Sequence, residues 1–208
     1  SILDREETIK NIKNMKKKFA SANTLPSIYL IHGDLTIEQM SHLYNNPKIK
    51  CFISCTHGEG FGRPLLEASC CGLPVIASKW SGHLDFLNEK ESLLIEGHLK
   101  EVPEGQIWKP IIVKPSKWFN PTEADVIRKI RMFHKKHSIF IKKGKRLGKK
   151  NHREFSLDKM AIKFNSILDN VLKQIPSAMS LKLPKLKKAD TKKPQNATIK
   201  LPKLKKVT

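Results

Sequence analysis

The sequence has no apolar run long enough to cross a bilayer. Its longest mostly apolar stretch, residues 65–77, is interrupted by Glu67 and by glycine and proline, whereas a membrane-spanning helix needs about 20 apolar residues. Aromatic residues are also scarce, at 7%, but the 39% of hydrophobic residues suffices for a core. These features exclude a membrane-spanning helix within this sequence and favour one globular domain, with or without an extension.

Cysteines are few and lack the spacing of a metal site. The four, Cys51, Cys55, Cys70 and Cys71, form no pair of CxxC motifs, although a structural zinc site needs four converging ligands. All four lie in or beside apolar runs, which indicates reduced thiols acting as small core residues. Reduced thiols are typical of a reducing compartment, so we expect a cytoplasmic protein, either free or peripheral at the inner membrane face.

Acidic residues are outnumbered two to one, and the basic excess is concentrated late in the chain. The 208 residues include 40 Lys and Arg against 19 Asp and Glu, a net charge of +21. Residues 1–141 contain 20 basic and 15 acidic side chains, whereas residues 142–208 contain 20 and 4. We therefore predict a domain over residues 1–176 and a lysine-rich tail over residues 177–208.

The tail contains an internal repeat. The segment KLPKLKK occurs at residues 182–188 and again at residues 200–206. Prolines interrupt any helix here, and the polar segment between the repeats buries too little apolar surface to offset the entropy of ordering. We therefore predict a disordered tail. Two interpretations stay open: a motif that docks on an anionic partner, a membrane surface or nucleic acid, and a solubilising extension.

Short apolar runs alternate with helical patterns in the predicted domain. The runs predict buried strands at residues 28–31, 51–54, 74–77, 93–95 and 111–113. Capping residues and helical spacing predict helices over residues 2–19, 37–45, 64–72, 122–133 and 156–176. The interpretation includes a capping box at residues 122–125, a basic connector at residues 142–153, and core positions for Trp108, Trp118 and Phe119.

This alternation of strands and helices predicts the fold class. The strands are apolar throughout rather than alternating with polar residues, which is typical of strands that are covered on both faces. We therefore predict an α/β protein: a Rossmann-like parallel sheet with helices on both faces.

The chemistry centres on a glycine-rich segment, residues 58–68, that joins a predicted strand to a predicted helix. Free backbone N–H groups and the positive helix end make such a turn an anion site, and Gly60 and Gly62 allow close approach of a ligand. Glu59 and Glu67 flank the turn, where a carboxylate accepts hydrogen bonds from sugar hydroxyls. The alternative is a plain glycine turn with two solvated carboxylates.

Other phosphate motifs are absent. The loop has the spacing GxGxG rather than GxGxxG, and the sequence contains neither GxxxxGK[ST] nor an Asp-x-Asp pair that could hold a metal diphosphate.

The extended motif, residues 57–77, reads HGEGFGRPLLEASCCGLPVIA. It resembles the signature of the family 4 (group 1) retaining glycosyltransferases of the GT-B fold, in which seven residues separate two glutamates. Residues 28–35 and Ser81–Gly82 resemble neighbouring parts of the same family.

The resemblance implies a role for each motif residue. Glu59 is the implied catalytic residue, bonded to hydroxyls of the donor hexose, and Glu67 holds the ribose. Asp34 and Leu35 contact the base. The implied contacts with the donor sugar and its phosphates come from residues 60–63, namely Gly60, Phe61, Gly62 and Arg63. Arg63 replaces the family's usual apolar residue, so it either adds a charge toward the diphosphate or lies on the surface.

The resemblance also implies the reaction and the partners. A sugar passes from a nucleotide-diphosphate sugar to a glycan, lipid or protein acceptor with retention of configuration, without a metal or other cofactor. The family's acceptor-binding N-terminal half is absent, as is the first strand–helix unit of its donor half, so we expect weak donor binding and no transfer by this chain alone. Two alternatives remain: another GT-B sugar-nucleotide enzyme such as an epimerase, and a non-enzymatic protein that acts through its basic tail.

Overall fold

The structure of the protein is a computed structural model that describes residues 2–19 and 25–174. The predicted tail with its repeat, and the predicted helix end at Pro176, lie outside the described residues. The chain separates into two compact units at residues 164 and 165. Of the second unit, the structure describes only the end of the last helix. No described helix is both long and apolar enough to cross a bilayer.

Six α-helices and five strands make up the described residues. The helices are α1 Ile2–Lys18, α2 Ile37–Tyr44, α3 Arg63–Cys70, α4 Glu123–Lys135, α5 His137–Glu154 and α6 Leu157–Gln174. The strands are β1 Phe52–Ser54, β2 Val75–Ser78, β3 Leu93–Ile95, β4 Gly97–Glu101 and β5 Lys117–Pro121. Two short 3-10 turns, Gly82–Asp85 and Glu104–Gln106, complete the elements.

The first three strands form a parallel sheet in the order β1-β2-β3, so the predicted α/β fold is confirmed. Each of these strands overlaps one of the predicted apolar runs, and helix α3 connects β1 to β2. All four residues of β2 are buried, as expected for a strand that is covered on both faces.

Successive residues of β2 contribute to two different cores. Val75 and Ala77 pack with Leu65 of α3 and Leu147 of α5. Ile76, which points to the opposite face, packs with a cluster formed by α4 and α5, including Phe133 and Phe140. Because side chains alternate along a strand, the two clusters lie on opposite faces of the sheet, and helices cover both.

The predicted strand at residues 28–31 is wrong. These residues form no strand, and the side chains of Tyr29 and Ile31 are 88% and 62% exposed. A strand needs a neighbour to receive its hydrogen bonds, and the described residues offer this run no such partner. The apolar composition alone was therefore not sufficient to make this run a strand.

The stretch from residue 97 to residue 121 also differs from the prediction. Here β4 and β5 pair antiparallel, whereas residues 111–113 form no strand and contribute only a single bridge, between Trp108 and Ile112. Phe119 is buried as predicted, but Trp108 is 65% exposed, so its core assignment is wrong. Gly97 explains the tight pairing, because a Cβ there would lie 2.3 Å from the carbonyl oxygen of Asn120.

The predicted basic connector at residues 142–153 is wrong as well, because these residues belong to α5. Its lysines and arginines lie on the exposed side, while Leu147 and Asn151 are buried against the sheet and α3. A Cβ at Gly144 would lie 2.7 Å from the carbonyl oxygen of Gly72, and one at Gly148 would lie 2.8 Å from that of Ser69. Gly144 and Gly148 lower the helix propensity of α5, but they allow α5 to pack closely against the end of α3 and the loop that follows it.

The helix caps agree with the sequence at two of three positions. Thr36 accepts a hydrogen bond from the backbone of Gln39, whose side chain bonds back to the backbone of Thr36, which makes a complete capping box. Ser156 caps α6 through the backbone of Lys159. Thr122 precedes α4 without a side-chain cap, so the predicted capping box is wrong there. Asp125 instead accepts a bond from the backbone N–H of Glu96.

Candidate functional site

A groove of about 510 Å³ lies between the segment leading into α2, helix α3 and the end of α5. Three predicted site residues line it: Leu35, Arg63 and Glu67. Helix α2 adds Tyr44, and α5 adds His152, a residue that sequence reasoning did not single out. The packing of α5 against α3 therefore brings His152 to the same groove as Arg63 and Glu67.

The N-terminus of α3 is preceded by a glycine in the left-handed conformation. Gly62 is the residue before the helix, with φ 82° and ψ 49°, and Pro64 occupies the first turn. A glycine has no side chain with which to cap the first N–H groups of a helix, so these groups stay available to solvent or to an anion. A Cβ at Gly62 would lie 3.0 Å from the Cβ of His83, which is a second reason for glycine here.

The backbone of Glu59 is held by Ser81. The Ser81 hydroxyl donates to the carbonyl oxygen of Glu59 (2.6 Å) and accepts from the N–H of Glu59 (3.2 Å). The N–H of Gly82 donates to the same carbonyl at 3.1 Å. Sequence reasoning noted Ser81 only as part of the family resemblance. Its position directly after β2, at the same edge of the sheet as the glycine loop, was the available signal.

Ser81 makes these contacts from a strained backbone. Its φ of 83° and ψ of −169° fall in a region that glycine occupies almost alone. The next residue must be glycine for a steric reason, because a Cβ at Gly82 would lie 2.0 Å from the carbonyl oxygen of Gly60. His83 then anchors the turn: it is fully buried, and its Nε2 donates to the carbonyl of Ser78 (2.6 Å). The loop at residues 58–62 thus rests on a closely packed second turn.

Arg63 and Glu67 form an ion pair in the groove. The guanidinium Nε of Arg63 lies 2.7 Å from Oε1 of Glu67, one helical turn later, and the side chains are 77% and 38% exposed. The hydrogen bond that Arg63 donates to Glu67, together with the negative charge of Glu67, raises the pKa of the Arg63 guanidinium. The carboxylate that the motif assigns to ribose therefore already has a hydrogen-bond donor.

Aromatic contacts hold the loop on the domain. The ring of Phe61, which is 40% exposed, lies 5.2 Å from that of the buried Phe86. His57, before the loop, stacks on Trp118 at 4.8 Å, and its Nδ1 donates to the carbonyl of Phe119 (2.8 Å). The half-buried Trp118 thus belongs to the support of the loop.

Not all of the predicted site residues are part of the lining of the groove. Asp34 is exposed and, like Glu59, does not line the groove, whereas its neighbour Leu35 does. Cys70 and Cys71 line the groove as free thiols, and burial raises the pKa of both, which keeps them protonated at neutral pH. Across residues 2–19 and 25–174, no cluster of three potential metal ligands occurs.

Comparisons with known proteins agree with the motif. The family pattern described as glycosyl transferases group 1 matches residues 9–104. A search of curated proteins gives no match. Among solved structures, the Anabaena protein HepE, crystallised with UDP and glucose, superimposes with a TM-score of 0.51 at 13% identity. The alignment covers 83% of this chain and 38% of the HepE chain. The likeness to HepE supports the fold, and the predicted resemblance to the group 1 glycosyltransferases is confirmed over residues 9–104.

Proposed function

We propose that this chain supplies the donor site of a glycosyltransferase that uses a nucleotide-diphosphate sugar. One observation carries the proposal: the two-glutamate motif lies on a strand, glycine loop and helix N-terminus, and its second glutamate lines a groove together with Leu35. A groove that combines apolar residues with a carboxylate offers a surface for a base and an acceptor for a ribose diol.

The proposed roles follow the order of groups in the donor. Leu35 and the adjacent Asp34 border the base, and Glu67 accepts hydrogen bonds from the ribose hydroxyls. The backbone amides of residues 60–62 and the positive end of α3 face the diphosphate. Glu59, at the other end of the loop, bonds to the hydroxyls of the transferred hexose. Ser81 supports this role because its hydroxyl is hydrogen-bonded to both the N–H and the carbonyl oxygen of Glu59.

In the proposed reaction the nucleoside diphosphate leaves, and negative charge grows on its phosphate oxygens. Preorganised amides, a helix N-terminus and cationic side chains stabilise such charge. The retaining outcome and independence from a metal form part of the proposal on the strength of the motif. The unpaired cysteines support a reducing, cytoplasmic location.

Titration with UDP-, GDP- and ADP-sugars tests the proposal. The full chain is measured by calorimetry beside Glu67→Gln, which keeps the shape of the side chain and removes its charge. Glu101→Gln, in the exposed strand β4, is the matched control because it removes the same charge outside the groove. We expect one nucleotide class to bind, Glu67→Gln to weaken it at least tenfold, and the control to bind normally. Equal binding by all three proteins would indicate only nonspecific attraction of anions to a basic chain.

Catalysis by the whole enzyme is a further part of the proposal. The chain spans 38% of the HepE chain, so we propose that acceptor binding, whether of a glycan, lipid or protein, requires a second domain. The expected result is donor binding without sugar transfer by this chain alone. Transfer of radiolabelled sugar to an added acceptor by the purified chain would contradict that expectation.

A further inference from the structure

The carboxylate proposed to bind ribose is occupied by a residue of the same helix. Arg63 donates to Glu67 at 2.7 Å, and both side chains line the groove. Within the described residues, Glu67 has no other ion pair. Arg63 engages only Oε1, so a ribose diol that donates to both oxygens of this carboxylate must compete with the guanidinium for that atom.

We propose that Arg63 exchanges partners when the donor binds: its guanidinium moves from Glu67 to the diphosphate. Recognition of ribose by Glu67 then depends on the presence of phosphate. This inference rests on the proposed donor site and adds a specificity-determining role for Arg63. A nucleoside without phosphates has to break the ion pair and gives Arg63 only water in return. A nucleoside diphosphate provides a new anionic partner as it takes Glu67.

The geometry of α3 supports this exchange. Arg63 is the first residue of the helix, so its side chain starts at the end of α3 that is proposed to face the phosphates, and Glu67 lies one turn later. Its side chain is 77% exposed and is free to rotate toward either partner. Exposed ion pairs one turn apart are weak, whereas guanidinium–phosphate contacts are bidentate and charge-assisted. The diphosphate is therefore the stronger partner.

The test compares nucleosides with their diphosphates. The full chain, Arg63→Leu and Arg63→Lys are titrated by calorimetry with uridine and UDP, guanosine and GDP, and adenosine and ADP. In Arg63→Leu we expect the matching nucleoside to bind about two- to fivefold more tightly, because Glu67 is freed from a weak pair, and the diphosphate to bind at least tenfold less tightly. Arg63→Lys, which keeps the charge without the fork of donors, is expected to lie between these values.

The gain in nucleoside binding is the distinguishing result. If Arg63 only attracted phosphate, nucleoside binding would not change on substitution, and if it only stabilised α3, both ligands would bind less tightly. The control compares the single variant Glu67→Gln with the double variant that also carries Arg63→Leu. Because the carboxylate is already absent from both, Arg63→Leu should not tighten nucleoside binding here.

The outcomes separate this inference from the donor-site proposal. An unchanged ratio of diphosphate to nucleoside affinity in Arg63→Leu overturns the partner exchange. If binding still depends on Glu67 in that case, the donor-site proposal is retained. Absence of binding of every nucleotide to the unaltered chain overturns both. Attraction of diphosphates to the lysine-rich remainder of the chain is common to all variants and so does not enter the comparison.

Discussion

Ser81 offers a prediction in which stability and ligand binding change independently. Its hydroxyl forms two hydrogen bonds with the backbone of Glu59, while its own backbone occupies a conformation that favours glycine. Replacement by alanine removes both bonds and keeps the strain. Replacement by glycine removes the same bonds and releases the strain. The two variants therefore differ in strain while sharing the loss of the hydroxyl.

The magnitudes follow from these contacts. Two lost hydrogen bonds cost about 1 kcal/mol each, so Ser81→Ala is expected to lose about 2 kcal/mol of unfolding free energy. The strained backbone costs about 1–3 kcal/mol, and the flexibility of glycine in the unfolded chain costs about 0.4–1 kcal/mol. Ser81→Gly should therefore be more stable than Ser81→Ala by about 1–2 kcal/mol, although glycine packs less.

Urea unfolding of the full-length variants measures this difference, and titration with the nucleotide sugar measures the site. Both variants are expected to weaken donor binding to the same extent, because both remove the two Ser81 bonds to the backbone of Glu59. Ser92→Ala is the control: its hydroxyl is buried and has no hydrogen-bond partner in the described part of the chain, so its loss should leave stability unchanged or slightly higher. An alanine variant as stable as the glycine variant would refute the strain argument.

Two further predictions concern the support of the domain. Burial raises the pKa of Asp125, but the backbone N–H of Glu96 and the Arg128 guanidinium outweigh it, so the pKa is lowered overall. Asp125→Asn should therefore cost about 1–3 kcal/mol near pH 7, and thermal unfolding should show this difference shrinking as the pH falls below about 4, when the carboxyl becomes protonated. Gly148→Ala places a Cβ 2.8 Å from the backbone of Ser69, so we expect a net loss of about 1–2 kcal/mol despite the better helix propensity of alanine. Gly105→Ala, where a Cβ meets no atom within 4 Å, should be neutral, and equal Tm values for the two alanine variants would contradict this account.

The core of the fold could be predicted because its signals are local. Each of the strands β1, β2 and β3 is a short apolar run bounded by glycine, proline or polar residues. Helix α2 begins after Thr36, whose predicted cap the structure confirms. These signals describe the immediate chain neighbours, and the structure retains them because burial agrees with the local preference.

The wrong predictions concern segments whose structure depends on contacts between distant parts of the sequence. Residues 142–153 contain two glycines and many lysines, a composition that favours a connector, yet Leu147 and the contacts at Gly148 make them a helix. The run at residues 28–31 has the composition of a strand but lacks a partner among the described residues. In the first case the deciding contacts, such as the bond from Asn151 to Ser69, join residues far apart in the sequence. In the second case a strand would need a distant partner. Local propensity carries no information about either.

In the candidate site, too, local features could be predicted from the sequence and long-range contacts could not. The spacing of Glu59 and Glu67 could be read from the sequence, because both lie within one strand–loop–helix unit. Ser81 and His152 could not be assigned to the site, since they reach it only through the sheet edge and through α5. The buried bond from Asn151 to Ser69, at 2.8 Å, fixes the end of α5 against α3 one residue before His152. The close packing that glycine permits in α5 therefore also determines the wall of the groove opposite Glu67, so a change that weakens this packing alters the shape of the site as well as the stability of the domain.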